Sequence, residues 1–112
     1  MLLKALVNLG FAEIDAEIYL FLANAGPQNG RNIAETLKLY KQQLYRSLKR
    51  LQTKGIIHAT VKRPAQFSAI PFEKVLDLLV ETKKEQALAW QASKDELLST
   101  WRSVTQKDNE KS

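Results

Sequence analysis

The chain has 112 residues, is 45% hydrophobic and carries a formal net charge of +5 at pH 7. This is the size of one ordinary domain with a single core, and it leaves room for one extension. The sequence contains no cysteine and one histidine, His58. The absence of cysteine excludes disulfides, and a single histidine leaves little material for a metal site or a nucleophile–base pair. We therefore expect no enzymatic activity, bound metal or cofactor.

No apolar run approaches the roughly 20 residues of a membrane span, and we expect a soluble, cytoplasmic protein that makes no membrane contact.

The first part of the sequence predicts two helices. Leucines recur at helical spacing over Leu2–Leu9, and Gly10 ends this short helix. A second helix is expected over Phe11–Ala25, because acidic residues favour its first turn and an apolar stripe runs along it. The stripe consists of Ile14, Ile18, Tyr19 and Leu22. The pair Gly26–Pro27 stops this helix.

A helix-turn-helix is predicted next. Asn29 is expected to cap a third helix over Gly30–Leu37, with an incomplete capping box because Asn32 stands where Glu or Gln is preferred. A fourth helix is expected over Lys41–Lys54, ended by Gly55. Its predicted inward residues are Leu44, Tyr45, Leu48 and Leu51. Its predicted outward residues are Lys41, Gln42, Gln43, Arg46, Lys49 and Arg50. Two helices joined by so short a connection are typical of this motif.

Two strands follow the fourth helix. The sequence is typical of short strands over Ile56–Val61 and Gln66–Ile70. The basic segment Lys62–Ala65 separates them and is predicted to form the tip of a hairpin. We expect His58, in its apolar strand context, to be structural rather than catalytic. The order of elements predicts a mainly α fold (α+β), a winged helix-turn-helix with a two-stranded wing.

A long final helix is predicted after the wing. Pro71 is tolerated at a helix start, and residues 72–106 contain no Gly or Pro. Few globular helices are so long, which indicates a partner surface. We therefore divide the chain into a DNA-binding domain over residues 1–71, a dimerisation helix over residues 72–106 and a frayed polar tail over residues 107–112.

The final helix shows an imperfect seven-residue repeat. Residues 76, 83, 90, 97 and 104 fall seven apart, but Lys83 lies in this series, and Gln86, Ser93 and Thr100 interrupt the second seam position. We predict a homodimer whose interface contains Leu76, Leu79, Val80, Ala87, Trp90, Leu97 and Trp101. The alternative is that this helix folds back onto its own domain.

The positive charge of the protein is concentrated in one block of sequence. No acidic residue lies between Glu35 and Glu73, whereas this stretch contains eight basic residues: Lys38, Lys41, Arg46, Lys49, Arg50, Lys54, Lys62 and Arg63. Elsewhere acidic residues outnumber basic ones. A surface that binds nucleic-acid phosphates needs such a concentration. The alternative is a solvated basic face without a partner.

The predicted motif assigns roles to these residues, with double-stranded DNA as the partner. The N-terminal part of a recognition helix meets base edges in the major groove. We expect base contacts from Lys41, Gln42, Gln43 and Arg46. We expect phosphate contacts from Lys49 and Arg50, and backbone or minor-groove contacts from Lys62 and Arg63 in the wing. Lys38 and Lys54 would give general electrostatic support.

The sequence resembles the TrmB-like archaeal transcriptional regulators. The resemblance lies in LVNLGFAEIDAEIYLFL, GPQNGRNIAETL, LYRSLKRLQTKGII and RPAQFSAIPFEKVLDLL, which span about two-thirds of the chain. It implies a winged helix that binds DNA through the helix with Lys41 and Arg46, and dimerisation through the helix after the wing. Long family members continue into a sugar-binding effector domain. We expect either a short stand-alone member or the DNA-binding part of a longer protein, and no effector is evident.

The sequence departs from the family pattern at two structural positions. Ala12 replaces the usual Ser or Thr, so the second helix lacks a side-chain cap worth about 1 kcal/mol. Lys38 and Tyr40 replace the Gly and Pro that the family usually has in the turn before the recognition helix. The geometry of this turn is therefore an open question at the level of sequence.

The sequence is compatible with two functions. The favoured one is a sequence-specific, homodimeric transcriptional regulator; the alternative is a winged-helix protein–protein adaptor in transcription or a scaffold assembly. The acid-free stretch and the polar tip of the predicted recognition helix favour DNA. A protein interface would more often expose aromatic residues there.

Overall fold

The computed structural model describes residues 2–110 as five helices and three short strands. The helices are α1 (Leu2–Asn8), α2 (Glu13–Ala25), α3 (Gly30–Leu37), α4 (Lys41–Thr53) and α5 (Phe72–Glu110). The strands are β1 (Gln28–Asn29), β2 (Ile57–Ala59) and β3 (Gln66–Ala69). The mainly α winged-helix prediction is confirmed.

Contacts divide the chain into two units, Met1–Leu78 and Leu79–Ser112. Among the described residues, no helix is long and apolar enough to cross a membrane.

The sheet of the first unit has three antiparallel strands in the order β1-β3-β2. In the predicted hairpin, His58 pairs with Ser68 and Ala59 with Phe67. β1 adds a third strand, in which Gln28 pairs with Phe67. β1 could not be predicted, because two polar residues are too few to show strand periodicity. The wing is therefore joined to the segment that leads into α3.

The core of the first unit forms around α2, which contacts α1, α3, α4 and β3. The largest fully buried apolar side chains of this core are Leu6, Ile18, Leu22, Ile33, Leu44, Leu48, Leu51 and Val75. Tyr19 packs its ring between Phe11 and Phe72, with ring centroids 6.2 and 6.4 Å away. Its hydroxyl donates a 2.6 Å hydrogen bond to the Ile70 carbonyl. Desolvation by burial raises the pKa of Tyr19. This contact fixes the chain just before α5 begins.

The ends of α2 and α3 agree with the sequence analysis. Ala12 precedes α2 without a side-chain cap, whereas Asn29 caps α3 by accepting a 2.8 Å hydrogen bond from the Asn32 amide through Oδ1. The Asn32 side chain does not complete a capping box; it donates to Gln28 Oε1 at 3.0 Å. Side-chain chemistry therefore fixes the start of α3 but not that of α2.

Lys38 makes the turn between α3 and α4 in the left-handed conformation, with φ 56° and ψ 50°. Glycine adopts this region without cost, whereas a residue with a Cβ pays about 1 kcal/mol. The turn therefore keeps a glycine-like geometry although it contains a lysine.

One predicted side-chain orientation on α4 is wrong. Tyr45 was expected to face inward, but it is half exposed, and Ser47 is buried in its place. The buried positions Leu44, Ser47, Leu48 and Leu51 are three or four residues apart and so share one side of the helix. Tyr45 is one residue from Leu44 and therefore points about 100° away from that side.

The final helix extends beyond its predicted end near residue 106. α5 continues to Glu110, because residues 107–110 include no Gly or Pro that would stop it. Polar residues by themselves do not stop a helix. The last part of the predicted tail, residues 111–112, lies outside the described residues.

Candidate nucleic-acid interface

One side of α4 is exposed and positively charged. Gln42, Arg46 and Lys49 follow each other at intervals of four and three residues, so they lie on one face, and all three are exposed. This face lies opposite the buried side that contacts β2, α2 and α3. Lys41 is also exposed, at the first position of the helix. The aligned face therefore offers two cations and one amide to a ligand that runs along α4, and Lys41 adds a third cation at the start of the helix.

Gln43 is exposed but has a structural contact of its own. Its Oε1 accepts a 3.0 Å hydrogen bond from the backbone N–H of Tyr40, the residue before the helix. One of the amide groups left unsatisfied before α4 is thereby paired. The Gln43 Nε2 group keeps its two N–H donors for other partners. Gln43 therefore differs from Gln42, whose side chain is not used in this way.

Arg50 forms an ion pair with an acidic residue from another helix. Its Nε donates to Asp15 Oδ2 at 3.0 Å, and its Nη2 donates to Asp15 Oδ1 at 2.8 Å and to Ser47 Oγ at 3.2 Å. Asp15 is almost fully buried in α2, whereas the Arg50 side chain is about two-fifths exposed. Hydrogen bonding to Asp15 raises the pKa of Arg50. The two-pronged pair joins α2 to α4.

The Asp15–Arg50 pair changes how the acid-free stretch is understood. Asp15 is far away in sequence, but the fold brings its carboxylate against α4 and neutralises one of the eight basic residues. The exposed face with Gln42, Arg46 and Lys49 points in another direction around the helix and keeps its charge. The sequence predicts a base contact for Arg46 and a phosphate contact for Arg50, but it does not indicate that the Arg50 guanidinium is already paired with Asp15.

The tip of the wing is exposed. Thr60 closes the hairpin: its N–H donates to the Gln66 carbonyl at 2.9 Å, and its Oγ1 accepts from the Gln66 amide at 2.9 Å. Beyond this closure Lys62 and Arg63 are both exposed, as predicted for contact residues. Val61 is fully exposed beside them.

Exposed aromatic residues lie beside the N-terminal part of α4. Tyr40 is 80% exposed and Tyr45 is 52% exposed. The polar tip predicted for α4 disfavours a protein interface, but the outward-facing Tyr45 adds an exposed aromatic ring beside that tip and removes this distinction. Tyrosine hydroxyls also contact phosphates, so the two residues are compatible with either partner.

The remaining predicted residues lie on other parts of the molecule. His58 is exposed on β2, not embedded in an apolar environment. Within the described part of the chain, no group of His, Cys, Asp and Glu side chains is arranged to hold a metal ion. The predicted dimer residues all lie on α5: Leu76 and Leu79 are partly buried, and Val80, Ala87, Trp90, Leu97 and Trp101 are exposed.

The fold is similar to those of several solved structures. The ST1889 protein of the thermoacidophilic archaeon Sulfolobus tokodaii matches with a TM-score of 0.64 at 23% identity, over 80% of this chain and 98% of its own. A MarR-family regulator from a Rhodococcus species gives 0.54 at 19% identity, over 94% and 80% of the two chains. The regulator BldR from Sulfolobus solfataricus gives 0.52 at 16%, over 95% and 80%. At these identities the similarity shows the winged-helix fold alone.

The family is shown by the sequence itself. Residues 6–73, more than half of the chain, match the family described as sugar-specific transcriptional regulator TrmB. The sequence has no match among curated proteins. The matched residues contain the helix-turn-helix, the wing and the Asp15–Arg50 pair. Family and fold are those of DNA-binding transcriptional regulators, which are not enzymes, and the chain belongs to the TrmB family.

Proposed function

We propose that the protein is a sequence-specific regulator that binds double-stranded DNA as a homodimer, with α4 in the major groove. The observation that carries this proposal is the exposed face of α4, where Gln42, Arg46 and Lys49 are aligned and the side opposite is buried. Arginine pairs with guanine and glutamine with adenine through two hydrogen bonds each, so this face has the donors for reading bases.

The contact residues have different roles in this proposal. Lys41, Gln42 and Arg46 contact base edges, and Lys49 contacts phosphate, since it lies further from the start of the helix. Gln43 contributes its Nε2 donors while its Oε1 caps the helix. Arg50 acts mainly by holding α4 against Asp15. Its predicted phosphate contact stays a prediction for the part of its side chain that is exposed.

The wing makes the second contact with DNA. Lys62 and Arg63 are exposed beyond the closure at Thr60, which supports contact with the backbone or the minor groove. These contacts carry little sequence information because every phosphate is alike. Replacing either residue by alanine lowers affinity for all sequences by similar factors and reduces the salt dependence of binding.

Selection of bound duplexes from a random pool tests the proposal directly. We expect a motif with two half-sites, because a two-fold dimer repeats its contacts about one helical turn, or a multiple, apart. Arg46→Ala relaxes the preference at one position in each half-site and costs about 1–3 kcal/mol per base contact. Lys4→Ala is the matched control: it also removes one positive charge, but from α1, and the motif is retained. A pool that enriches no motif, or binding insensitive to salt, contradicts the proposal.

The adaptor function is supported by a different observation. The exposed Tyr40 and Tyr45 rings are of the kind that anchor protein interfaces. If this function is correct, Tyr40→Ala abolishes partner binding and Arg46→Ala has a smaller effect. In the DNA proposal the order is reversed. The wild-type protein and the two alanine variants, measured on a selected and a scrambled duplex, separate the two functions, because an adaptor would not prefer one sequence over the other.

A further inference from the structure

The side-chain amide of Gln43, in the first turn of α4, has its two ends in different surroundings. Its Oε1 accepts the 3.0 Å hydrogen bond from the Tyr40 backbone N–H, and the residue is exposed. A backbone N–H can only donate, so this bond engages the oxygen end of the amide and not the nitrogen end. The Nε2 group is therefore the end of the amide that is left for a ligand.

The hydrogen bond to Tyr40 holds the amide in this orientation. Turning the amide over would bring the Nε2 donors against the Tyr40 N–H and would leave that N–H without its acceptor. An N–H at the start of a helix has no carbonyl partner within the helix, so this loss is unfavourable. A ligand that accepts hydrogen bonds from Nε2 does not require the turn. Gln43 therefore offers donors, and no acceptor, to a bound duplex.

Gln43 lies where a recognition helix meets bases. The helix begins at Lys41, so Gln43 belongs to its N-terminal end. Residues at this end are the first to reach base edges in the major groove. Gln43 and Arg46 are three residues apart and are neighbours on the helix surface. The Gln43 donors are therefore beside a residue of the proposed base-reading face.

The four bases differ in what they offer to a group that only donates. In the major groove guanine offers the acceptors O6 and N7, thymine offers O4, and cytosine offers only its N4 amino donor. Adenine offers N7, but its N6 amino donor would face the same Nε2 group. The usual pairing of glutamine with adenine uses the oxygen and the nitrogen of one amide together, and the Gln43 oxygen is engaged. Guanine therefore fits best, thymine fits second, and cytosine is rejected.

We propose that Gln43 is a specificity-determining residue that reads an acceptor-bearing base, guanine before thymine, because its cap on α4 withholds the amide oxygen. Gln42 does not hold the Tyr40 N–H, so its amide can turn either way and can pair with adenine. The two adjacent glutamines therefore select different bases. The inference rests on the proposed DNA-binding function and adds the class of base that one residue selects.

Gln43→Glu separates the cap from the base contact. Glutamate also accepts from the Tyr40 N–H, and its negative charge suits the start of a helix, but its other oxygen accepts where Nε2 donates. In selections from a random pool, we expect the base read by residue 43 to change from guanine to cytosine, whose N4 group donates. On duplexes that differ only at this base pair, we expect the wild type to prefer guanine over cytosine about five- to tenfold and Gln43→Glu to reverse the order.

Two further variants control for charge and for the cap. Gln42→Glu makes the same change of charge on the adjacent residue, and we expect it to alter a different position of the motif. Gln43→Met has a similar size but neither caps nor donates, so the base pair at which it loses preference is the one read by residue 43. Thermal unfolding without DNA measures the cap: Gln43→Met melts a few degrees below the wild type, and Gln43→Glu does not.

The outcomes separate this inference from the proposed function. A wild-type preference for adenine at the base read by residue 43 overturns the inference, and so does a Gln43→Met protein as stable as the wild type. A motif that no substitution of Gln43 changes also overturns it, because a phosphate contact behaves in this way. In these cases sequence-specific DNA binding stands, whereas a wild-type pool that enriches no motif overturns both. Exchange of guanine or thymine for cytosine in Gln43→Glu supports the inference.

Discussion

Helix α4 and residues 79–105 of α5 both present patterned exposed faces, but of the two only α4 has an opposite side that is buried within its own unit. Leu44, Leu48 and Leu51 fix which side of α4 meets solvent, and the Arg50 pair holds it against α2. Residues 79–105 of α5 have no buried side chain. The core of the first unit selects the exposed face of α4, whereas no buried side selects a face among residues 79–105. The comparison therefore predicts where single substitutions act on folding and where they act on association.

The largest expected effect is on association through α5. Trp90→Glu places two carboxylates near the centre of the proposed interface, so we expect the dimer dissociation constant to rise about 100-fold or more. Leu88→Glu is the matched control, because Leu88 is also exposed but lies on the other side of the helix, two residues away. Analytical ultracentrifugation measures both. If Leu88→Glu dissociates the dimer as strongly as Trp90→Glu, the wrong face has been assigned.

The next effect is on the folding of the first unit. Arg50→Ala leaves the buried Asp15 carboxylate without its cationic partner, and we expect the free energy of unfolding to fall by about 2–3 kcal/mol. This is below the range for fully buried pairs because the Arg50 side chain is partly exposed. Arg46→Ala, one turn earlier, is the control and should change stability by less than about 0.5 kcal/mol. Urea denaturation measures the difference. Equal effects of the two substitutions would show that Asp15 does not depend on Arg50.

The contrast between these two arginines shows what the sequence predicts and what it cannot. The sequence predicted all five helices, because apolar residues at helical spacing must share a side and glycine or proline marks where a helix stops. The same periodicity placed Tyr45 on the buried side of α4, which is wrong, because Tyr45 points about 100° away from Leu44. Asp15 and Arg50 are distant in the sequence, and their pairing follows only from how α2 packs on α4. The base contacts of Lys41, Gln42 and Arg46 depend on the DNA sequence that is bound, so the exposed face of α4 supplies the donors but does not identify the bases.

A smaller effect is expected at the turn that leads into α4. Lys38 holds a left-handed conformation, so Lys38→Gly removes strain, and we expect the unfolding free energy to rise by about 0.5–1 kcal/mol. The gain is smaller than the strain because glycine also makes the unfolded chain more flexible. Lys54→Gly is the control, since Lys54 has an ordinary right-handed conformation, and it should destabilise the protein. Thermal unfolding of both variants measures whether each substitution raises or lowers the unfolding free energy. A loss of stability in Lys38→Gly contradicts the left-handed turn.

The smallest effect is expected at the start of α5, where this helix is held by its own unit. Burial raises the pKa of Tyr19 above its ordinary value of 10.0, so the folded state binds the hydroxyl proton more tightly than the unfolded state. The resulting stability is complete below pH 10 and is lost as pH rises through the folded-state pKa. Tyr19→Phe lacks this titration but also lacks the hydrogen bond to Ile70, which costs about 1 kcal/mol at neutral pH. We therefore expect the stability difference between wild type and variant to narrow above pH 10. Urea denaturation at pH 7 and above pH 10 measures this difference; a constant gap would mean that the Tyr19 hydroxyl titrates alike in the folded and unfolded states.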